Sequence, residues 1–258
     1  MRLLPLAALA ALLSFPAQAE GLYVKYHVNL IGVKVGEGRL SMSFSGDSYS
    51  LSGSGNMAAF GRLVSDAQAT VSAKGTVSNA TVKPSVFKMD AVGEGKPNKV
   101  NLAMNKGTVT SRSVHPKQDK MDQRIKLTSA HQKGIVDPMS ALVFPAPKGM
   151  HPESCNRTLK IYDGRERYDL VMKYKRQYRH KGSRKNYSGP MLVCSAQYKP
   201  IAGHRPNRKT IKDLQANRSG EVHLAEIKGQ PYLVLYKASL DTPVGHASVT
   251  SVRMKPTK

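Results

Sequence analysis

Cys155 and Cys194 are the only two thiols in this sequence of 258 residues. Paired thiols can bind metal, do redox chemistry or close a disulfide, and two of them leave one connectivity. The stretch they bracket, CNRTLKIYDGRERYDLVMKYKRQYRHKGSRKNYSGPMLVC, also concentrates the groups that could hold an anion. Asp163, Arg165 and Arg167 cluster at one turn, where guanidinium forks match a carboxylate or a phosphate. The plainer alternative is that Asp163 shapes the turn and the arginines are solvated or pair with Glu166 and Asp169. Further on, Lys173, Lys175, Gln177, Arg179 and Lys181 share one parity, and Met172, Tyr174, Arg176, Tyr178 and His180 the other. That pattern predicts a strand with one cationic and one mostly aromatic face. Its lysines either bind an anion or simply discourage strand-to-strand aggregation. The candidate anion-binding set is therefore Arg165, Arg167, Lys173, Lys175, Arg179 and Lys181.

Catalytic and metal chemistry are not concentrated anywhere. His27, His115, His131, His151, His180, His204, His223 and His246 are scattered, none at the i,i+4 spacing or in the H-E-x-x-H context that suits zinc. No G-x-S-x-G nucleophile elbow is present. The sequence reads as that of a non-enzymatic protein with no cofactor, no metal and no catalytic residues. A hydrolase is the alternative, though no residue can be named as its water-activating group.

The elements that must position these groups are strands. Asp163-Gly164 between alternating runs predicts a tight hairpin in which both residues take positive φ. With the run ending at Cys194 it gives a three-stranded meander, a cysteine near each end. Leu22, Val24, Tyr26, Val28 and Leu30 alternate, and so do Leu40, Met42 and Phe44 after the bend at Gly32. Short runs closed by Gly, Asn or Pro recur to the C-terminus, predicting an all-β fold with one or two short helices, built on an antiparallel sheet of high curvature. Helical spacing marks residues 57–66. It also marks residues 135–144, where Asp137 suits an N-cap, Pro138 the first turn, and Met139, Leu142 and Val143 one apolar face. Residues 204–217 have weak helical character.

Arg2, an apolar run over residues 3–15 and Ala17-Gln18-Ala19 form a secretory signal expected to be cut after Ala19, leaving 20–258 as one β-rich domain. Export favours a disulfide over two buried free thiols. Lys and Arg number 40 against 17 Asp and Glu, a formal net charge of +23. Such a charge attracts polyanions. After export these are lipid head groups, lipopolysaccharide phosphate, acidic glycans and acidic proteins; the exported address disfavours nucleic acid.

Four stretches in chain order, GVKVGEGRLSM, DPMSAL, CNRTLKIYDGRERYDL and LVCSAQYKPIAGHR, together resemble a Gram-negative periplasmic family catalogued as domain of unknown function 3108. The resemblance places the recurring Asp-Gly-Arg turn at Asp163-Gly164-Arg165, the Asp-Pro start at Asp137-Pro138 and the paired cysteines at Cys155 and Cys194. It implies a periplasmic address and a curved antiparallel sheet, a half-barrel, spiral or open barrel, around a short central helix, and it brings no activity. The expected function is support of the cell envelope by binding an apolar or amphipathic ligand, or a protein partner, on the curved sheet. The alternative is attachment to anionic envelope polymers or a membrane surface through the basic strand.

Overall fold

The structure, a computed structural model, describes residues 20–57, 67–78, 80–227 and 229–257. The expected leader lies outside these residues, as does the expected first helix apart from Met57, which ends a strand.

Alternation of apolar and polar side chains is satisfied by one antiparallel sheet. Its first half is β1 (Glu20–Leu30), β2 (Val33–Ser45), β3 (Ser48–Met57), β4 (Ala67–Ser78), β5 (Thr81–Gly93), β6 (Lys96–Asn105) and β7 (Thr108–His115). After β8 (Phe144–Pro145) come β9 (Arg157–Tyr162), β10 (Arg167–His180), β11 (Gly189–Ala202), α1 (Lys209–Ala216), β12 (Glu221–Glu226), β13 (Tyr232–Thr242) and β14 (Gly245–Thr257). The order is β7-β6-β5-β4-β3-β2-β1-β14-β13-β12-β11-β10-β9, so the first and last strands pair in the middle. Inward rows such as Leu22, Val24 and Tyr26, or Leu40, Met42 and Phe44, meet in one core.

The sheet curls without closing. Its ends, β7 and β9, do not pair with each other. They are held near one another by the β9–β10 turn and by residues 134–136. Arg112 Nε on β7 donates to the Gly164 carbonyl at 2.5 Å. Ile135 N donates to Gly107 O (3.0 Å), Val136 N to Lys160 O (2.9 Å) and Tyr162 N to Val136 O (2.9 Å). The curved, open all-β architecture expected from the sequence is the one observed.

Four local expectations are corrected. Residues 135–144 form no α-helix; they make one 3-10 turn at Ser140–Leu142 inside the core. Both ends of the segment are tied down as strand, Val136 to Ile161 and β8 to β13, leaving room for a single turn. Asp137 does cap that turn: its Oδ1 accepts from Met139 N (3.0 Å) and Ser140 N (2.8 Å). The helix α1 lies against β11 and none of its residues is buried, so it is not central.

The Asp163-Gly164 turn is also longer than a two-residue hairpin. Tyr162 pairs with Arg167, leaving a loop of residues 163–166. Asp163 Oδ1 accepts from Arg165 N and Glu166 N, both at 2.7 Å, closing the loop as an Asx turn. Positive φ is needed only at Gly164 (93°), whose bare Cα fits where a Cβ would lie 2.6 Å from Val100 Cγ1.

Finally, the third strand of the meander does not end at Cys194 but runs on to Ala202. Cys155 and Cys194 form the expected disulfide, with Cα atoms 5.4 Å apart. The bond sits in a second core on the outer face of β10–β13, where Phe144, Ala146 and Cys155 cover Met172, Leu192, Val222, Leu224 and Leu233.

Candidate binding site

At one end of the half-barrel the inward rows run past the filled core. Leu22 begins the inward row of β1, Phe44 ends that of β2, and β14 brings Met254 and Pro256 beside them through the Leu22↔Pro256 and Val24↔Met254 pairs. With Ile227 after β12 and Tyr187 from the β10–β11 loop, they line a cavity of about 530 Å³. This is within the roughly 300–1,000 Å³ range of small-molecule sites, and its walls are apolar as such sites require. Phe44 is braced by stacking on Tyr232, ring centroids 4.3 Å apart. Ser188, Glu226, Gln230 and Thr257 supply polar groups at the margin.

The β10–β11 loop, residues 181–188, is laced onto β14. Asn186 Nδ2 donates to Ser251 O (2.8 Å) and to Tyr236 Oη (3.2 Å), while Ser251 Oγ donates to Asn186 Oδ1 (3.0 Å). Met254 N, on the groove wall, donates to Lys185 O (3.1 Å). These bonds hold an otherwise polar loop against the groove. It carries Lys181, Arg184 and Lys185, all exposed and, among the described residues, without a carboxylate partner. Among the described residues, the lining itself holds the carboxylate of Glu226 and no cation; the loop that contributes Tyr187 and Ser188 to one wall is basic in its preceding residues.

A partly exposed set of polar contacts lies at the base of this loop. Arg176 donates through Nη1 and Nη2 to Glu221 (2.9 and 3.1 Å), and Lys175 Nζ donates to the same carboxylate at 2.5 Å. The Arg176 hydrogen bonds, followed by that of Lys175, hold the Glu221 carboxyl well below its ordinary range despite partial burial. His223 lies 3.0 Å from Glu221 through Nε2 and 3.1 Å from the Tyr178 hydroxyl through Nδ1. Burial lowers the His223 pKa and raises that of Tyr178, so both are neutral at pH 7. A second group, in edge contact with Tyr178 through His180, joins His180 Nε2 to the Tyr236 hydroxyl at 2.8 Å and Tyr236 to Asn186 of the loop.

The predicted anion-binding residues are not brought together. Arg165 Nη2 donates to the His115 carbonyl at 3.0 Å, tying the turn to the end of β7. Arg167 is buried and paired with Asp169 at 2.7 Å, as the plainer reading of that turn expected. A bulge at Lys175 breaks the strict two-face pattern of β10, because Tyr174 pairs with Cys194 and Arg176 with the adjacent Val193. Lys175 is thereby drawn to Glu221, whereas Lys173, Arg179 and Lys181 stay exposed without an ion pair among the described residues. Leu22, Phe44, Ile227 and Met254 escaped sequence reasoning as site residues. Their signal was positional: Leu22, Phe44 and Met254 lie within a few residues of a strand end and Ile227 just past one.

The family profile described as "Protein of unknown function (DUF3108)" matches residues 25–250. No curated protein sequence matches. Among solved structures, the chain is similar to the beta-barrel-like protein of domain of unknown function DUF1849 from Brucella abortus, with TM-score 0.53, 8% identity and coverage of 93% of this chain and 98% of that one. At that identity the likeness concerns the fold alone.

Proposed function

We propose, for a chain that belongs to the DUF3108 family of proteins of unknown function, that it is a non-enzymatic carrier or receptor for an anionic amphiphile. The observation that carries this reading is the apolar cavity of about 530 Å³, one side of which is closed by Tyr187 and Ser188 of the loop that also bears Lys181, Arg184 and Lys185. The acyl portion enters between Leu22, Phe44, Ile227 and Met254, where each buried CH₂ contributes about 0.8 kcal/mol. The head group stays at the margin, where cations meet it in water. The disulfide and the N-terminal signal support an exported, periplasmic protein serving the cell envelope. Native mass spectrometry of protein purified from its own compartment tests the idea: the expected result is a co-purifying anionic amphiphile, and a clean apo mass that stays unchanged on adding dodecyl phosphate contradicts it.

A second reading rests on β10, which is exposed from Lys173 to Arg179 on both faces. Its free cations suit an anionic polymer such as a phosphorylated glycolipid surface. Binding of this kind weakens steeply with salt, since exposed charges are screened within about 10 Å at 0.1 M. Replacing Lys173, Arg179 and Lys181 by Gln should abolish retention on a phosphorylated glycolipid; unchanged retention eliminates this reading.

A further inference from the structure

The sheet ends in a free edge at β9. Beyond the Val136 bridge, no strand among the described residues covers its first residues. In an antiparallel pair, residues alternate between bonding the neighbour and pointing away from it. Lys160 O and Tyr162 N point away from β10, because both bond Val136. By that alternation, the N–H and C=O of Thr158 and the N–H of Lys160 also point outward, and among the described residues no hydrogen bond is made to them. Side chains give the complementary information. Thr158 and Lys160 share parity with Tyr162, which is fully buried in the main core, so their side chains face inward too. Yet both are exposed. The interior beside them is an open cleft of about 490 Å³, with Val136 and Val143 in its wall and Lys83, Lys106 and Lys160 around it. The acid lining it, Glu153, is already engaged by Lys148 at 2.5 Å.

We infer that this cleft receives an extended acidic segment of a partner protein, added as a strand along Arg157–Lys160. Main-chain bonds to Thr158 and Lys160 supply the attachment, and an acidic side chain facing the cleft meets Lys83, Lys106 or Lys160. An inward lysine on an edge also guards against indiscriminate pairing. Here it does so selectively: a second copy of this strongly basic chain is repelled, whereas a carboxylate-bearing strand is not.

The test uses the mature protein with a capped octapeptide alternating Glu and Val, and its Lys–Val counterpart. The acidic peptide should bind at least about tenfold more tightly than the basic one. It should also slow hydrogen exchange of the Thr158 and Lys160 amides. Thr158→Pro removes an outward N–H that no ladder bond uses, and proline is tolerated at such edge positions. It should cut acidic-peptide binding by about tenfold or more. Lys160→Glu should invert the preference between the two peptides, and it keeps the test valid should the proline variant be unstable. Failure of the acidic peptide to bind, binding without protection of Thr158 and Lys160, or self-association of the chain through this edge in sedimentation overturns the inference.

Discussion

Replacing Cys155 by Ser is expected to lower the unfolding free energy by about 4 kcal/mol. The bond spans 39 residues of sequence, and a loop of that length removes this much chain entropy from the unfolded state. Both cysteines are fully buried beside Phe144, Met172 and Leu224, so the variant also leaves hydroxyl and thiol in an apolar core. A loss of this size is a large share of the roughly 5–15 kcal/mol available to a domain. Reduction of the wild type should have the same effect, and reducing the variant should add nothing, because one constraint is being removed. The circular-dichroism signature of strand should persist at 20 °C, since β1–β7 and β12–β14 lie outside the loop. Additive losses, or a variant as stable as wild type in a urea titration, would show that the bond does not constrain the fold.

The second large effect concerns Asp137, which is fully buried. Besides the two backbone N–H groups, its carboxylate accepts from Ser140 Oγ at 2.5 Å, and Ser140 Oγ in turn accepts from the Tyr49 hydroxyl at 2.7 Å. Asp137→Ala orphans these donors inside the core and should cost roughly 3 kcal/mol or more, at about 1–3 kcal/mol per buried unsatisfied group. Burial pushes the Asp137 carboxyl up to about 6, against its three hydrogen bonds, which pull it down. Above the unfolded value near 3.8 and below 6, the folded chain therefore holds a proton that the unfolded chain has released. The stabilisation is full below about pH 4 and is lost as pH rises through 6, by roughly 3 kcal/mol at most. An asparagine side chain in this place imitates the protonated form: one oxygen for the two backbone N–H groups and one donor for Ser140. Asp137→Asn should keep most of the stability at pH 7 and remove the slope between pH 4 and 6 that urea unfolding shows for wild type. A slope unchanged in the Asp137→Asn variant would assign it to another group.

Much of the fold was legible because its strands are half-buried. Leu22, Val24 and Tyr26 alternate with polar residues, and the structure buries that row. The disulfide was legible from compartment and count. The segment through Asp137 was not, although its cap was. Met139, Leu142 and Val143 have helical spacing, but Val136 and Phe144 are claimed by strands that are remote in sequence, and tertiary pairing overrides local pattern. Nor could alternation reveal the bulge at Lys175, which turns Arg176 toward Glu221 and breaks the two-faced strand the spacing suggested. The residue types at the turn left Arg167 either at an anion site or paired with a nearby acid, and it is Asp169, two residues on, that neutralises it out of solvent. The groove was hidden for a different reason: Leu22, Phe44, Ile227 and Met254 come from strand ends that only the curl of the sheet brings together.

The most direct measurement of the central claim is a fluorescence titration. The chain has no tryptophan, so Ser188→Trp, at the exposed margin of the groove, gives a single reporter. Dodecyl phosphate, kept below its micellar concentration, should shift that emission to the blue with a saturable one-to-one isotherm. Dodecanol and inorganic phosphate should each bind more weakly than the amphiphile that combines them. Ile227→Glu in the same background, which sets a carboxylate among the apolar walls, should weaken dodecyl phosphate by about tenfold or more. A reporter that does not respond, or an affinity that Ile227→Glu leaves unchanged, would contradict a ligand-binding groove at this end of the sheet.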